Sequence, residues 1–431
     1  MNKEIIAQQK LERDLLLGQP YVERLGLAAS RKHIESNLIK LVTGPRRAGK
    51  SVFCLLLLKD RNFAYVNFDD EAFGKTFDYD RMLEAVFEVY GKTQYLFFDE
   101  IQNLKGWESF ANKLYRRGFN LIITGSNASL LSKELASSLT GRYLATEVLP
   151  FSFREFLTAK GFTSTDKGFV LPETKGSVLS YLSSYLDEGG FPEIASGKAP
   201  LKDYLSTLFD AILFKDVVKR YNIRFPQSMY DLAIYLLSSP ATEFTFSRIK
   251  SLLGFRSTAT AQKYINFLNE AYLFFYLTRF SYKVREQINA PKKAYVVDAG
   301  LIAAKSPQVL QFKARLMENA VFLELIRRGY AANRDLFYYK TRNGKEVDFL
   351  LRQGSGFKEL IQVCFDLNAA GSTAEREFRA LAEAGKEFKC ANLTVISWDE
   401  ERSAKHNGCT IRIVPFWKWL LTAPPDGQTI K

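Results

Sequence analysis

The chain has 431 residues, with 60 Lys and Arg against 47 Asp and Glu and a net charge of +13. Its 47% hydrophobic and 25% charged content is that of a globular protein, long enough for roughly two to four domains. No run of about eighteen apolar residues occurs, which excludes a membrane-spanning helix, and two histidines, His33 and His406, leave little material for a His-based metal site or a Ser-His-Asp triad.

Residues 1–34 read as short helices, with Ile5, Ile6, Leu11, Leu15, Leu16, Val22 and Leu25 as packing positions and Gly18 and Pro20 as breaks. The opening Met1–Ile5 lacks a signal-peptide core. Leu38–Thr43 is an apolar run of strand length, and Val52–Leu58 reads as a helix. Further strands are expected at Phe63–Phe68, Tyr95–Phe98, Leu121–Thr124 and Tyr143–Val148, with helical patterns between them. Alternation of this kind over 35–150 predicts a parallel α/β sheet with ligands at the C-terminal strand ends.

From 151 to 225 the pattern is helical: Phe151–Lys160, Gly176–Asp187 and Leu201–Tyr221, with a tight turn at Gly189-Gly190. Residues 226–300 hold three helical stretches and then the strand-like Ala271–Leu277, an order that suits a small winged helix. From Met317 the order is helix, three strands, helix, strand, a second α/β unit within 301–425. Pro424–Lys431 reads as a loose tail.

The link between the first strand and helix is Gly44-Pro45-Arg46-Arg47-Ala48-Gly49-Lys50-Ser51, a complete G-x-x-x-x-G-K-S/T loop followed by Val52. Glycines let backbone N–H groups face a polyphosphate, and the helix N-terminus adds its positive dipole end. Lys50 would sit on the β- and γ-phosphates and Ser51 would hold Mg²⁺. Tyr95–Phe98 delivers Asp99 and Glu100 to the same sheet edge. There Asp99 would meet the metal and Glu100 would polarise the attacking water. The fourth strand ends in Ser126 and Asn127, which could orient that water or cap a helix. Arg46 and Arg47 could grip the nucleotide or an acid, with Asp69 or Asp70 as partner. Arg142 follows Leu139-Thr140-Gly141; it could stabilise charge on a neighbour's nucleotide in a head-to-tail oligomer, act in cis, or be a plain surface arginine.

Taken together, Leu41–Ser51, Phe97–Gln102, Thr124-Gly125-Ser126, Leu139–Arg142 and Pro150–Phe156 resemble prokaryotic AAA-type ATPases of the archaeal-ATPase-like group, over about 10 to 420. The resemblance implies ATP as nucleotide, a helical lid at 151–225, a winged helix at 226–300 and a restriction-endonuclease-like domain at 301–425. In the middle module Thr258, Thr260, Gln262 and Lys263 head the second helix of a helix-turn-helix, where base edges would be read; such modules also contact proteins. In the last, Glu318 and Asp348 resemble a PD-(D/E)xK nuclease core. The carboxylate and lysine that such a site needs are replaced by Gln362 and Cys364, which implies a degenerate nuclease.

The leading expectation is a Mg²⁺-dependent ATPase coupled to nucleic acid, DNA favoured; the +13 net charge would attract a polyanion, though charge alone equally suits an inert basic surface. A nucleotide-dependent switch or scaffold for a protein partner is the alternative, and an active nuclease the least favoured. Four scattered cysteines, Cys54, Cys364, Cys390 and Cys409, suit reduced thiols in the cytoplasm.

Overall fold

A computed structural model of the chain describes residues 2–70, 78–127, 141–162, 171–368 and 373–422. Leu139, Thr140 and the tail Pro424–Lys431 lie outside the described residues. The chain divides into two compact units, one built from residues up to Phe151 together with Glu270–Tyr272, the other from Ser152 onward.

The first unit is a five-stranded sheet in the order β2-β3-β4-β1-β5. Its strands are β1 (Ile39–Thr43), β2 (Phe63–Asn67), β3 (Tyr95–Asp99), β4 (Asn120–Gly125) and β5 (Tyr143–Glu147). All four pairings are parallel. β1, β3 and β4 are buried along their whole length. Strands covered on both faces need continuous apolar runs, and these are the runs that the sequence shows. Thr43 sits opposite Gly125 and Glu147, and Asn67 opposite Asp99, so the strands end along one edge.

The N-terminal segment differs from expectation. It holds one 16-residue helix, Asn2–Leu17, and a short one, Leu27–Arg31. Leu11, Leu15 and Leu25 are exposed, whereas Gln9 is buried. The Gln9 amide donates to the Asn67 carbonyl at 3.0 Å and accepts from the Asn67 N–H at 3.0 Å. A polar side chain thus closes the edge of β2 that lacks a strand partner.

In the second unit a capping box on Ser152 and Glu155 starts the helix Phe153–Ala159, and Pro172–Glu188 follows. The long helix expected over 201–221 is helical as far as Lys219, but it widens from Leu201–Ala211 into a π-helix over Ile212–Lys219. Next come helix Pro226–Leu237, β6 (Thr242–Phe244), helices Phe246–Leu253 and Thr258–Glu270, β7 (Phe274–Thr278) and β8 (Lys292–Val296). The three strands form an antiparallel sheet ordered β6-β8-β7.

A six-stranded mixed sheet ends the unit, ordered β13-β14-β12-β11-β10-β9. Helix Lys313–Arg327 precedes β9 (Leu336–Lys340), β10 (Glu346–Gln353) and β11 (Gly356–Cys364); helix Thr373–Phe388 precedes β12 (Leu393–Ser397). That is the expected order, extended by a hairpin of β13 (Arg402–His406) and β14 (Cys409–Pro415). Its turn is Asn407-Gly408 with φ of 50° and 78°, the left-handed pair that two-residue hairpins favour.

The Gly189-Gly190 turn is explained by Asp298, which takes the Gly190 N–H at 2.7 Å and the Gly300 N–H at 2.9 Å. A side chain at Gly189, whose φ is 78°, would lie 1.8 Å from the Asp298 carboxylate. Burial pushes the Asp298 carboxyl up to about 7, against the two N–H groups and Arg327. A raised folded pKa means stability that is complete below the unfolded value and lost as pH rises through about 7. Urea midpoints should therefore fall between pH 5 and pH 7.5, with a slope of up to ~1.4 kcal/mol per pH unit from this group. Asp298→Asn should flatten that segment of the profile; an unchanged slope would assign it to other groups.

Candidate active site

Backbone geometry shapes the loop between β1 and the helix Lys50–Leu58. Gly44 has φ 146°, and a Cβ there would meet the Val148 carbonyl oxygen at 2.0 Å. Gly49, at φ 89°, is the left-handed N-cap of the helix. Lys50 is therefore the first helical residue, and the helix N-terminus faces the loop.

Lys50 is 4% exposed; its ammonium donates to the Pro45 carbonyl at 3.1 Å and lies 3.7 Å from Glu100. Asp99 ends β3 almost fully buried. It accepts from the Thr124 hydroxyl, from the Tyr65 hydroxyl at 3.2 Å and from Ser51. Thr124 also accepts the Glu100 N–H at 2.9 Å, so one hydroxyl joins the ends of β3 and β4.

The two neighbouring acids are driven apart. Burial, then the Glu100 charge, raises Asp99 above the usual carboxylate range, against Thr124, Ser51 and Lys50. Burial pushes Glu100 up too, but Lys50, Gln102, Arg46 and Ser126 together outweigh it and hold Glu100 below its ordinary value. Glu100 sits at φ 51°, a conformation that non-glycine residues rarely adopt and that turns its side chain out of strand alternation.

Ser126 and Asn127 are buried at the end of β4, and Ser126 bonds to Glu100. Arg46 reaches Asp69 at 4.0 Å, the expected acid at the outer limit of an ion pair, while Arg47 takes a left-handed φ of 65°. Arg142 lies elsewhere: its guanidinium donates to Asn112 at 3.0 Å and stacks over Tyr115. Lys50, Ser51, Asp99, Glu100 and Ser126 are thus brought together, and Arg142 is not linked to them.

Two residues escaped the motif reading. Gln102 donates to Glu100 and, at 3.4 Å, to Ser126, while its carbonyl oxygen is buried without a hydrogen-bond partner among the described residues. Its position within Phe97–Gln102 was the available signal. Arg24 is buried; it donates to Ala48 of the loop at 2.8 Å and to Leu149 at 2.6 Å, with Phe151 against its plane. Nothing in the local sequence marks it.

Family comparisons agree with this geometry. Residues 36–157 match the family described as AAA domain, 179–311 a domain of unknown function (DUF8612) and 313–419 another (DUF4143). Uncharacterized protein MJ1544 of Methanocaldococcus jannaschii is 36% identical over 96% of this chain and 96% of its own length. The chain belongs to that family, AAA-domain proteins with a C-terminal DUF4143 domain. An uncharacterized protein of Haemophilus influenzae is 30% identical over 77% of this chain and 84% of its own length. Among solved structures, the Walker-type ATPase PABY2304 of Pyrococcus abyssi is 17% identical over 69% of this chain and 99% of that one, with a TM-score of 0.39.

The AAA–DUF4143 chain therefore carries a P-loop ATPase fold with a site suited to nucleotide. Among the described residues, no helix is long and apolar enough to cross a membrane. All four cysteines are free thiols.

Proposed function

We propose that this protein is a Mg²⁺-dependent ATPase whose nucleotide state governs contact with DNA. The observation that carries the ATPase reading is the cluster at the ends of β1, β3 and β4: Lys50, Ser51 and Asp99, with Glu100 held ionised beside them. Backbone N–H groups of the Gly44–Val52 stretch, other than Pro45, which has none, would cradle the phosphates. Ser51 and Asp99 form a hard-oxygen pair that fits Mg²⁺, which would neutralise charge on the phosphates when bound with the nucleotide.

A triphosphate competes with Glu100 for the Lys50 ammonium, so binding frees the Glu100 carboxylate to take a proton from water. Gln102, Ser126 and Asn127 orient that water or sense the γ-phosphate. Arg142 would serve a neighbouring copy in a homo-oligomer rather than its own site. We assign the protein to the cytoplasm on its free thiols.

The DNA reading rests on the net charge and on a helix-turn-helix of winged-helix order. Thr258, Gln262 and Lys263 are exposed at the start of the second helix, which Ser257 opens by accepting the Thr260 N–H at 3.1 Å; Thr260 itself is half-buried. One observation favours a protein partner instead. Tyr282, Val284 and Ile288, between β7 and β8, are 74%, 69% and 64% exposed.

Turnover measured with and without duplex DNA separates the two. DNA should stimulate hydrolysis several-fold at low salt, and the effect should fall steeply between about 50 and 200 mM salt. A flat response to DNA and RNA would transfer the reading to a nucleotide-dependent switch for a protein.

A further inference from the structure

In the second unit a group of charges converges where the resemblance to nucleases would put a metal. Glu318 projects from helix Lys313–Arg327, and Glu346 and Asp348 lie on β10. Three converging carboxylates are the ligand set of a hard divalent cation. Here the Lys293 ammonium lies 2.8 Å from Glu318, 2.6 Å from Glu346 and 3.1 Å from Asp348.

The ammonium donates hydrogen bonds to one oxygen of Glu318 and one of Asp348, and Glu346 completes the set as an ion pair. The second oxygens of two of the acids are engaged as well: Asp348 takes the Val363 N–H at 2.9 Å, and Glu346 lies 3.7 Å from Lys340. The Tyr295 hydroxyl adds a 2.8 Å bond to the same Glu318 oxygen that faces Lys293. Lys293 is 2% exposed. It comes from β8, in the three-stranded sheet, where it stands opposite Glu243 of β6 and Leu277 of β7.

The residues therefore do not fit a metal. A cation at the same point, with oxygens at about 2.0–2.6 Å, would overlap the ammonium. Neither Gln362 nor Cys364 supplies another hard anionic ligand. Among the described residues, no group of three or more His, Cys, Asp or Glu is placed to hold a metal ion.

We propose that Lys293 is a built-in cation standing where a divalent metal would sit, so that the joint between the three-stranded and six-stranded sheets is a metal-free lock and a cation site appears only when Lys293 is removed. The three-stranded sheet thereby plugs the pocket of the six-stranded one. Neighbouring contacts serve the same joint: Tyr338 of β9 donates to Glu243 at 2.9 Å, Lys340 to Glu243 at 2.7 Å, and the Phe280 N–H to the Tyr338 carbonyl at 2.8 Å.

The test uses MnCl2 as probe on the full chain, stripped of metal and without nucleotide. Lys293→Ala should melt at lower temperature than wild type in EDTA and recover by several degrees at about 1 mM Mn²⁺. Adding Asp348→Asn should abolish the recovery, which separates this response from any cation bound at Ser51 and Asp99. A folded Lys293→Ala that ignores Mn²⁺ would overturn the proposal. Wild type gives an independent arm: Mn²⁺ binding followed by electron paramagnetic resonance should be identical in wild type and Asp348→Asn. A bound ion lost in Asp348→Asn would overturn the lock, even where Lys293→Ala cannot be folded at any Mn²⁺ concentration; equal binding supports it.

Discussion

Glu100→Gln is expected to lower ATP turnover on the order of 100-fold or more while nucleotide binding stays within a few-fold of wild type. The amide keeps the size of the carboxylate and can still bond to Gln102 and Ser126, so the strained turn at φ 51° should survive. What is lost is a proton acceptor. Glu100 is held below the usual carboxylate range, so it is ionised at neutral pH and available as a base. The loss should fall on kcat, because the wild-type carboxylate lies 3.7 Å from Lys50 and competes with the phosphates for it. Phosphate release and equilibrium nucleotide binding, measured on the same preparation, check both halves. Unchanged turnover would remove Glu100 from the chemistry and shift attention to Asp99.

Lys293→Met should destabilise the second unit by about 3–5 kcal/mol at neutral pH. Methionine fills much of the lysine volume, so the cost is mainly the loss of the counter-ion to buried Asp348 and largely covered Glu318, with Glu346 keeping Lys340, rather than a cavity. Burial pulls the ammonium down, but Glu318, Asp348, Tyr295 and Glu346 outweigh it and hold Lys293 well above its ordinary value. A lysine raised in this way contributes stability that is present throughout the neutral range and lost only as pH rises through its folded value. Burial first, then Asp348, raises Glu318 even with the ammonium beside it. The deficit of Lys293→Met should therefore shrink at pH 5, where such carboxyls take up protons. Adding Glu318→Gln and Asp348→Asn should recover much of the loss in denaturant titrations. A triple variant no better than Lys293→Met would mean that packing, not charge, sets the cost.

The first unit was legible because parallel strands buried on both faces leave long apolar runs. Each of its five strands falls within a residue or two of the expected span. The phosphate loop and the Asp99-Glu100 pair follow from chemistry that needs fixed residue types at fixed spacing. Amphipathic spacing misled at Leu11 and Leu15, which are exposed while Gln9 is buried, because closing a strand edge calls for hydrogen bonds rather than apolar area. Strand β8 was not read, since Lys292-Lys293 looks like solvent-facing charge. Its burial depends on carboxylates 25 to 55 positions further along, which no local pattern encodes. The last hairpin was not expected either: Asn407-Gly408 is a hairpin signal, but polar Arg402–His406 lacks the apolar face of a strand.

Arg24 bears on where the catalytic unit begins. The AAA match starts at residue 36, and the whole G-x-x-x-x-G-K-S loop lies beyond it. Yet the guanidinium that holds the Ala48 carbonyl against Leu149 belongs to the segment before that border. By donating to both carbonyls, it ties the loop to the segment that follows β5. A protein shortened to the matched stretch would keep the whole motif and forfeit the brace that gives the motif its shape.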